Sequence, residues 1–276
     1  MRTAENNVTL IEPRSSFLAL DLHELWAYRE LLYFLTWRDI KIRYKQTAIG
    51  VAWAVLQPVV TTVIFTILFS TIARFETGEI AYPLFVLSGL IIWLFTHTAI
   101  TSASTSFVNN ANLVTKVYFP RLIVPLAATL ASLFDLVFSV GIVIAMMGYF
   151  GVRPTAHLLL APVFILLALI QVTAFGTLLS ALSVRYRDVK FALPFSLQVW
   201  MIASPIFYPV TMIPEKWRLV FAINPLTGII DGFRSALFGL PFNWQVIGVS
   251  VASMMMICIV SILVFKRMED DFADVI

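Results

Sequence analysis

Charged residues are scarce in this sequence. Only 13% of the 276 residues are Asp, Glu, Lys or Arg, whereas 60% are hydrophobic. A soluble domain of this size would carry about 25% charged residues. The apolar runs occupy most of the chain and leave no block large enough for a separate soluble fold. The sequence therefore predicts an integral membrane protein.

Cysteine and histidine are also rare. The single cysteine, Cys258, excludes an intrachain disulfide, and we interpret it as a small buried hydrophobic residue. His23, His97 and His157 lie far apart in the sequence, so we do not expect a metal site. No G-x-x-x-x-G-K-[ST] phosphate loop occurs, and no nucleophile, base and orienting acid form a recognisable motif. We therefore expect no catalytic residues, no cofactor and no nucleic-acid partner for this chain.

Six apolar runs approach or exceed the roughly 20 residues that a membrane-spanning helix needs. They cover residues 50–73, 82–105, 122–150, 158–184, 191–212 and 244–265. Residues 1–22 lack the continuous apolar core of a signal peptide, so we expect the first span to be retained. The predicted fold is all-α, with an N-terminal tail (1–22), a six-span domain (50–265) and a C-terminal tail (266–276).

The basic residues are distributed unevenly about these spans. When the connections alternate between the two sides of the membrane, one side holds 14 of the 19 lysines and arginines. The other side holds only Arg74, Arg153, Lys216, Arg218 and Arg234. Because lysine and arginine favour cytoplasmic loops, both termini are predicted to face the cytoplasm.

The segment 214–243 is apolar but broken. Asn224-Pro225 interrupts it, and a Gly-Leu-Pro sequence interrupts it again at 239–241. Arms of roughly 8 and 15 residues are too short to span a bilayer, and irregular backbone at membrane depth must be enclosed by protein or line a wet cavity. We interpret the segment as a re-entrant helical hairpin entering from the outside. The alternative is an amphipathic loop on the outer surface.

The first helix is predicted to be amphipathic and to cover residues 23–49. Its aromatic and aliphatic stripe recurs at helical spacing and comprises Trp26, Tyr33, Trp37, Ile40 and Tyr44. Such a helix suits the membrane interface. Four cations lie near its end: Arg38, Lys41, Arg43 and Lys45. Either they meet anionic membrane lipids and orient the first span, or they collect the phosphates of a cargo lipid.

Carboxylates are almost absent from the predicted spans. Asp135 is the only one well inside a span, and we expect it to join helices through Ser132 or Ser139. Ion-coupled carriers usually hold several such groups, so a secondary transporter is a weaker alternative. A membrane glycosyltransferase is a further alternative, but the only acidic cluster is the tail at 269–274, which we expect to be solvated.

Four motifs identify a family resemblance. They are NNANLVTKVYFPRLIVP at 109–125, RYRDVK at 185–190, SPIFYP at 204–209 and INPLTGIIDGFR at 223–234. With these motifs in this order, nearly the whole chain resembles the permease subunit of polysaccharide-exporting ABC transporters, in the ABC type 2 superfamily. The resemblance implies export of lipid-linked O-antigen, capsular polysaccharide or teichoic acid across a bacterial inner membrane. It also implies a homodimer that works with two ATPase subunits, which bind ATP and Mg. A drug or small-lipid cargo remains open.

The resemblance also implies roles for particular residues. The first cytoplasmic loop would dock on the ATPase, through Asn112, Lys116, Val117, Tyr118, Phe119 and Arg121. The second loop, with Arg185, Arg187 and Asp188, would touch the same ATPase if it has a docking role. Read without the family, the first loop carries an apolar patch rimmed by charge, typical of a protein contact or of a helix resting on lipid. The second could equally be only a topology anchor.

The hairpin would contribute to a gate. Its predicted residues are Phe207, Tyr208, Asn224, Pro225, Asp231 and Arg234. Asp231 and Arg234 are three residues apart and can pair on a helix, either as a structural pair or as a gate element. Aromatic rings near the gate are candidates for stacking on sugar faces.

Overall fold

The computed structural model describes residues 22–45, 50, 52–72, 80–269 and 272, and every regular element in these ranges is helical. The predicted N-terminal tail lies almost wholly outside the described residues, as do Asp270, Asp271 and Asp274 of the acidic tail and Arg74. The all-α prediction is confirmed for the described part of the chain.

Twelve α-helices follow one another in the described ranges. They are α1 (Leu22–Ala27), α2 (Arg29–Tyr44), α3 (Ala52–Phe65), α4 (Tyr82–Ser104), α5 (Ser106–Asn109), α6 (Ala111–Lys116), α7 (Ile123–Tyr149), α8 (Ala161–Arg185), α9 (Val189–Ile202), α10 (Glu215–Ala222), α11 (Pro225–Phe238) and α12 (Trp244–Glu269). A π-helical segment, Thr66–Ile72, continues α3, and 3₁₀ turns occupy Ala156–Leu160 and Val210–Met212.

Five helical elements are long and apolar enough to cross a membrane. They are Ala52–Phe69, Tyr82–Ser104, Ile123–Tyr149, Ala156–Arg185 and Trp244–Glu269. These match five of the six predicted spans. The last helix extends to Glu269, four residues beyond the predicted end of the span, so the C-terminal tail begins later than expected.

The predicted span at 191–212 is not a single helix. α9 ends at Ile202, and at 1.5 Å per residue its 14 residues extend only about 21 Å, short of the roughly 30 Å hydrocarbon layer. Pro205 and Pro209 explain the break, because proline lacks a backbone N–H and disfavours helical geometry in the preceding residue. The six-span count is therefore not confirmed.

Helix α4 lies at the centre of the bundle. In its most apolar stretch 78% of the residues are buried, against 11% in the first span. It packs against α3, α7, α8 and α11. Small residues allow close approach, because an added Cβ at Gly176 would collide with the Cβ of Ala103. Small residues at helix contacts are the usual means of packing helices in membranes.

Helix α2 packs along α7. Leu35 is its buried residue, while Tyr33 and Phe34 are 62% and 63% exposed. The helix prediction is confirmed over the described residues, with an interruption at Tyr28 between α1 and α2. Its protein-facing side is leucine-rich, and two of its aromatic rings lie largely outside the bundle, which leaves them available to lipid.

Helices α10 and α11 meet at Asn224-Pro225, where the sequence predicted a break. Gly239 ends α11 with φ 71°, the left-handed geometry that glycine adopts without strain. α11 is buried along almost its whole length and is surrounded by α4, α8 and α12. α11 therefore lies inside the helix bundle, whereas α10 is largely exposed and only Ala222 of it is buried.

Candidate functional site

Arg234 on α11 is the most enclosed charge in the described part of the chain. It is 2% exposed. Its Nη1 donates to the carbonyl of Pro205 at 2.6 Å, and its Nη2 donates to Ile206 at 2.6 Å and Phe85 at 3.1 Å. Its Nε donates to Ser88 Oγ at 3.3 Å. The guanidinium thus supplies donors to the irregular SPIFYP backbone after α9, whose carbonyls no helix satisfies.

Two features of α4 make room for this guanidinium. The Arg234 carbon Cζ lies 3.6 Å from the centroid of the Phe85 ring, a cation–π arrangement. An added Cβ at Gly89 would collide with Arg234 Nη2. Position 89 therefore needs glycine, because the Arg234 guanidinium fills the space that a Cβ would occupy.

The predicted Asp231–Arg234 ion pair is wrong. Both side chains are described, yet no nitrogen–oxygen contact within 4.0 Å joins them among the described ion pairs. Arg234 turns instead to the carbonyls of α4 and of residues 205–206. The i, i+3 spacing allows a pair on an isolated helix, but in the bundle the unsatisfied carbonyls compete for the same donors.

Asn224 joins the two halves of the predicted gate. Its Oδ1 caps α11 by accepting from the Leu226 N–H at 3.1 Å and also accepts from Trp200 Nε1 at 2.8 Å. Its Nδ2 donates to Ser204 Oγ at 2.9 Å. The side chain therefore ties the end of α9 to the start of α11, with Pro225 at the favoured first helical position.

Hydroxyl groups satisfy the carbonyls at the end of α10. Thr227 donates to the Phe221 carbonyl at 2.8 Å, and Ser250 on α12 donates to Ala222 at 2.8 Å. Ser253 donates to the Ile223 carbonyl at 2.6 Å. Side chains of α11 and α12 therefore supply hydrogen-bond donors to the carbonyls at this break.

Phe207 and Tyr208 follow the carbonyls that Arg234 holds. The Phe207 ring stacks on Phe65 with centroids 3.8 Å apart and lies parallel to Phe69 at 6.1 Å. Its carbonyl accepts from the Tyr82 hydroxyl at 3.0 Å. Phe207 is 8% exposed, so it is a contact between the first span and the SPIFYP segment, while Tyr208 is half-buried.

The predicted first docking loop contains the short helix α6. Asn112 and Lys116 are exposed, and Val117 and Tyr118 are 52% and 77% exposed. Phe119 is only 4% exposed. The prediction that Phe119 belongs to the exposed patch is therefore wrong, since its ring is packed inward.

Phe119 belongs to a second hydrophobic core at this end of the bundle. The core also includes Leu35 from α2, Phe107 from α5 and Phe272 from the tail. The ring centroids of Phe272 and Phe107 are 4.9 Å apart. The Arg121 carbon Cζ lies 5.9 Å from the centroid of the Phe272 ring. The docking loop is thus anchored to the N-terminal helix and to the C-terminal tail.

The second predicted docking loop lies at the same end of the bundle, because Ala181 at the end of α8 packs into this second core. Arg185, Arg187 and Asp188 are exposed. Among the described side chains, no hydrogen bond or ion pair links them to α6. Their docking role stays a prediction.

The four cations near the end of α2 have different environments. Arg43 Nη1 forms an ion pair with Asp135 Oδ2 on α7, and Nη2 lies 3.4 Å from Ser102 Oγ and 3.3 Å from Ser132 Oγ. Arg43 is thus an anchor between α2 and α7. Asp135 joins helices, as expected, but through Arg43; the Ser139 hydroxyl donates to the Asp135 backbone carbonyl.

Arg38 pairs with its neighbour Asp39 at 2.8 Å. Lys41 is exposed, with its Nζ 5.4 Å from the Trp37 ring centroid, and Lys45 is exposed at the end of α2. The structure therefore does not gather the four cations into one cluster. Only Arg38 and Arg43 line a common cavity.

Several residues that contribute to the site were not predicted from the sequence. Tyr82, Phe85 and Ser88 on α4 are more than 100 residues from their hydrogen-bonding partners, and nothing local marks them. Asp135 did carry a signal, because a carboxylate inside a span needs a donor. Among described residues, no group of three His, Cys, Asp or Glu could hold a metal ion.

Comparison with known proteins gave a consistent result. The family model described as ABC-2 type transporter matches residues 30–238. An O-antigen export system permease protein of Myxococcus xanthus is 26% identical over 257 residues, which cover 92% of this chain and 98% of the relative. An O-antigen export system permease protein of Klebsiella pneumoniae is 25% identical over 248 residues, which cover 90% of this chain and 95% of the relative. A polysialic acid transport protein of Escherichia coli is 25% identical over 208 residues, which cover 72% of this chain and 78% of the relative.

Proposed function

The chain belongs to the ABC-2 type transporter family, as its motifs predicted, and from that premise we propose that it is the permease subunit of an ATP-driven exporter of lipid-linked polysaccharide. The observation that carries this is the similarity to O-antigen export permeases over 90% or more of the chain. The ATP and Mg are bound by a separate ATPase subunit. The chain is a multi-pass protein of the bacterial inner membrane with both termini in the cytoplasm.

The exposed face of the first docking loop supports ATPase binding. Lys116, Val117 and Tyr118 project from the end of α6, and Phe119 fixes their position by packing into the second core. A force applied to α6 would thus reach α2, α8 and α12 through packed side chains. Such mechanical coupling is the role expected of a permease that lacks its own phosphate loop.

One substitution in this loop and a control outside it separate docking from folding. Tyr118→Asp should abolish co-purification with the ATPase and leave the permease folded, because Tyr118 is 77% exposed. Tyr149→Asp, at an 85% exposed tyrosine at the other end of the bundle, is the matched control and should keep the complex. Docking through this loop is refuted if Tyr118→Asp retains a complete complex.

The exposed side of α9 supports a homodimer. Phe191, Phe195, Val199 and Ile202 form one stripe and are 78%, 69%, 50% and 64% exposed. Because α9 is short and continues as irregular backbone, protein rather than lipid should cover this side. A second copy placed here would put the export path between two sets of α3 and α9.

Cross-linking tests this arrangement. Cys258 is the only cysteine, so a Cys258→Ala background permits single-site probes. Phe195→Cys should form a disulfide between copies in native membranes. Val163→Cys, on α8 and 47% exposed, is the control and should form no disulfide between copies. Absence of cross-linking at position 195 would contradict a homodimer through α9.

The hairpin and the orientation are tested by labelling. Trp217 on α10 is 51% exposed, so Trp217→Cys should react with a membrane-impermeant thiol reagent added outside. Tyr118→Cys should react only when the inner face is accessible. Reaction of residue 217 solely from the inner face would reverse the orientation.

Reconstitution tests the function as a whole. The permease and its ATPase in proteoliposomes should move a labelled lipid-linked polysaccharide only when ATP and Mg are present. Transport driven by an ion gradient with no ATPase would refute the proposal and favour a secondary carrier.

A further inference from the structure

An apolar groove lies between α8 and α12, at the end of the bundle that carries the docking loop. Its volume is about 310 Å³, at the lower end of the range for ligand pockets. Leu169 and Ile170 on α8, Leu122 just before α7, and Ile262 and Phe265 on α12 contribute apolar side chains to its walls. Such walls suit a hydrocarbon chain.

Small side chains on the two facing helices leave this space open. Thr173 and Thr177 on α8, and Cys258 and Ser261 on α12, line the groove. Ser261 is 2% exposed, and its hydroxyl donates to the Ala174 carbonyl at 2.7 Å. This hydroxyl is thus satisfied inside the protein, so a bound molecule needs to supply no polar group to it.

The length of the groove matches one leaflet of a bilayer. Along α12 its lining residues run from Cys258 to Glu269. At 1.5 Å per residue these residues extend about 16 Å, which is about half of the roughly 30 Å hydrocarbon layer. The groove therefore fits an acyl chain of a phospholipid in the leaflet at the docking-loop end.

The mouth of the groove is charged. Glu24 on α1 and Lys266 and Glu269 on α12 lie there, and all three are partly exposed. Two carboxylates and one ammonium group disfavour an anionic headgroup. A primary ammonium group has three N–H donors for carboxylates, and a phosphate can pair with lysine. A choline headgroup has no N–H donor, so the mouth matches phosphatidylethanolamine better than phosphatidylcholine or phosphatidylglycerol.

The groove also borders the docking loop. Pro120 lines it, and the Tyr118 hydroxyl lies 3.5 Å from Glu24 Oε1. A molecule held in the groove would therefore contact α1, α8, α12 and the end of the docking loop together.

We propose that this groove binds phosphatidylethanolamine as a resident lipid, with one acyl chain between α8 and α12. Glu24 and Glu269 accept from its ammonium group, and Lys266 contacts its phosphate. This lipid braces the docking loop and is separate from the exported lipid, so the inference goes beyond the proposed function.

The test uses the full-length permease in nanodiscs that hold equal amounts of phosphatidylethanolamine and phosphatidylcholine with identical acyl chains. Native mass spectrometry measures the ratio of the two lipids that stay bound. The wild type should retain an excess of phosphatidylethanolamine. Glu24→Gln and Glu269→Gln should each lower the ratio by about tenfold, the loss expected for one hydrogen bond to a charged group. Glu30→Gln is the charge control, because Glu30 lies on α2 and does not line the groove, and it should keep the wild-type ratio.

Cys258 locates the bound lipid, since it is the only cysteine of the chain and lines the groove. Reaction with N-ethylmaleimide adds bulk at this position, so labelled molecules should lose the excess of phosphatidylethanolamine that unlabelled molecules in the same sample keep. Thr173→Trp should fill the groove and have the same effect. Leu166→Trp, at a 54% exposed position of the same helix, is its control and should retain the lipid.

Four outcomes would overturn the assignment. Two are equal retention of both lipids by the wild type, and an excess of phosphatidylethanolamine that survives the glutamate substitutions or the labelling of Cys258. The third is a Cys258 that resists N-ethylmaleimide even in detergent, since protein would then fill the groove. The fourth is displacement of phosphatidylethanolamine by a polyprenyl phosphate, which would reassign the groove to the cargo. ATP-dependent export is measured separately, so its failure would refute the proposed function and leave lipid retention as an independent result.

Discussion

Replacing Arg234 by methionine should be among the most damaging single substitutions in the bundle. The change keeps the side chain long and removes four donor contacts, which serve the carbonyls of Phe85, Pro205 and Ile206 and the hydroxyl of Ser88. The carbonyls of Pro205 and Ile206 would then lose their donor, whereas the Phe85 carbonyl keeps the Ser88 hydroxyl at 2.7 Å.

The magnitude follows from two limits. Hydrogen bonds within membrane proteins average about 0.6 kcal/mol, so four such contacts give a lower limit near 2 kcal/mol. An unsatisfied buried group costs about 1–3 kcal/mol, so two carbonyls could cost up to about 6 kcal/mol. Removing a buried charge offsets part of that cost. We expect a net loss of about 2–5 kcal/mol.

The assay is thermal unfolding of the purified permease, together with ATP-dependent export. For a chain of this size, that loss corresponds to a melting temperature lower by roughly 5–15 °C. Arg218→Met is the matched control. Arg218 also donates to backbone carbonyls, of Ile213 at 2.9 Å and Thr211 at 3.2 Å, but its side chain is 29% exposed, so water can replace it.

A double substitution tests the space argument. Gly89→Ala should destabilise the wild type, because the added methyl group collides with the guanidinium. In the Arg234→Met background the same change should cost much less, since methionine lacks that planar group. Equal melting temperatures for Arg234→Met and Arg218→Met would refute the reasoning, as would strictly additive effects of the substitutions at 89 and 234.

Three other substitutions probe the remaining contacts. Asn224→Ala removes the cap of α11 and the acceptor of Trp200, so chemical unfolding should show a loss of about 2–4 kcal/mol. Asp135→Asn weakens the pair with Arg43, and a loss of about 1–3 kcal/mol is expected for this partly buried pair; an unchanged melting temperature would exclude an anchoring role. Phe272→Ala opens the second core and should cost up to about 3–5 kcal/mol, seen as faster proteolysis of the docking loop, while unaltered cleavage would contradict its anchoring.

Local chemistry explains which features were predictable. The five long spans follow from apolar length, and the break at Asn224-Pro225 follows from proline and from the capping ability of asparagine. The helical character of α2 follows from uninterrupted periodicity. The predicted span at 191–212 failed because length and apolar content do not reveal where two prolines end a helix.

Partners distant in sequence explain the errors within the site. Asp231 and Arg234 have the right spacing to pair, but residues 205–206 offer carbonyls that no helix satisfies. Phe119 resembles a surface residue beside Tyr118, and only the meeting of α2, α5 and the tail provides a pocket for its ring. In the sequence Arg43 is one of four similar cations, and only the packing of α2 against α7 places Asp135 beside it.

By itself the sequence determined that this is a helical membrane protein of the ABC-2 type transporter family, because apolar length and motif order are properties of the chain alone. The tertiary structure decided which donor each buried carbonyl binds, and which aromatic rings are exposed and which are buried in a core. It also decided which two of the four cations line the same cavity. Those outcomes depend on distances between residues separated by up to 149 positions in the chain, and helix packing alone sets such distances.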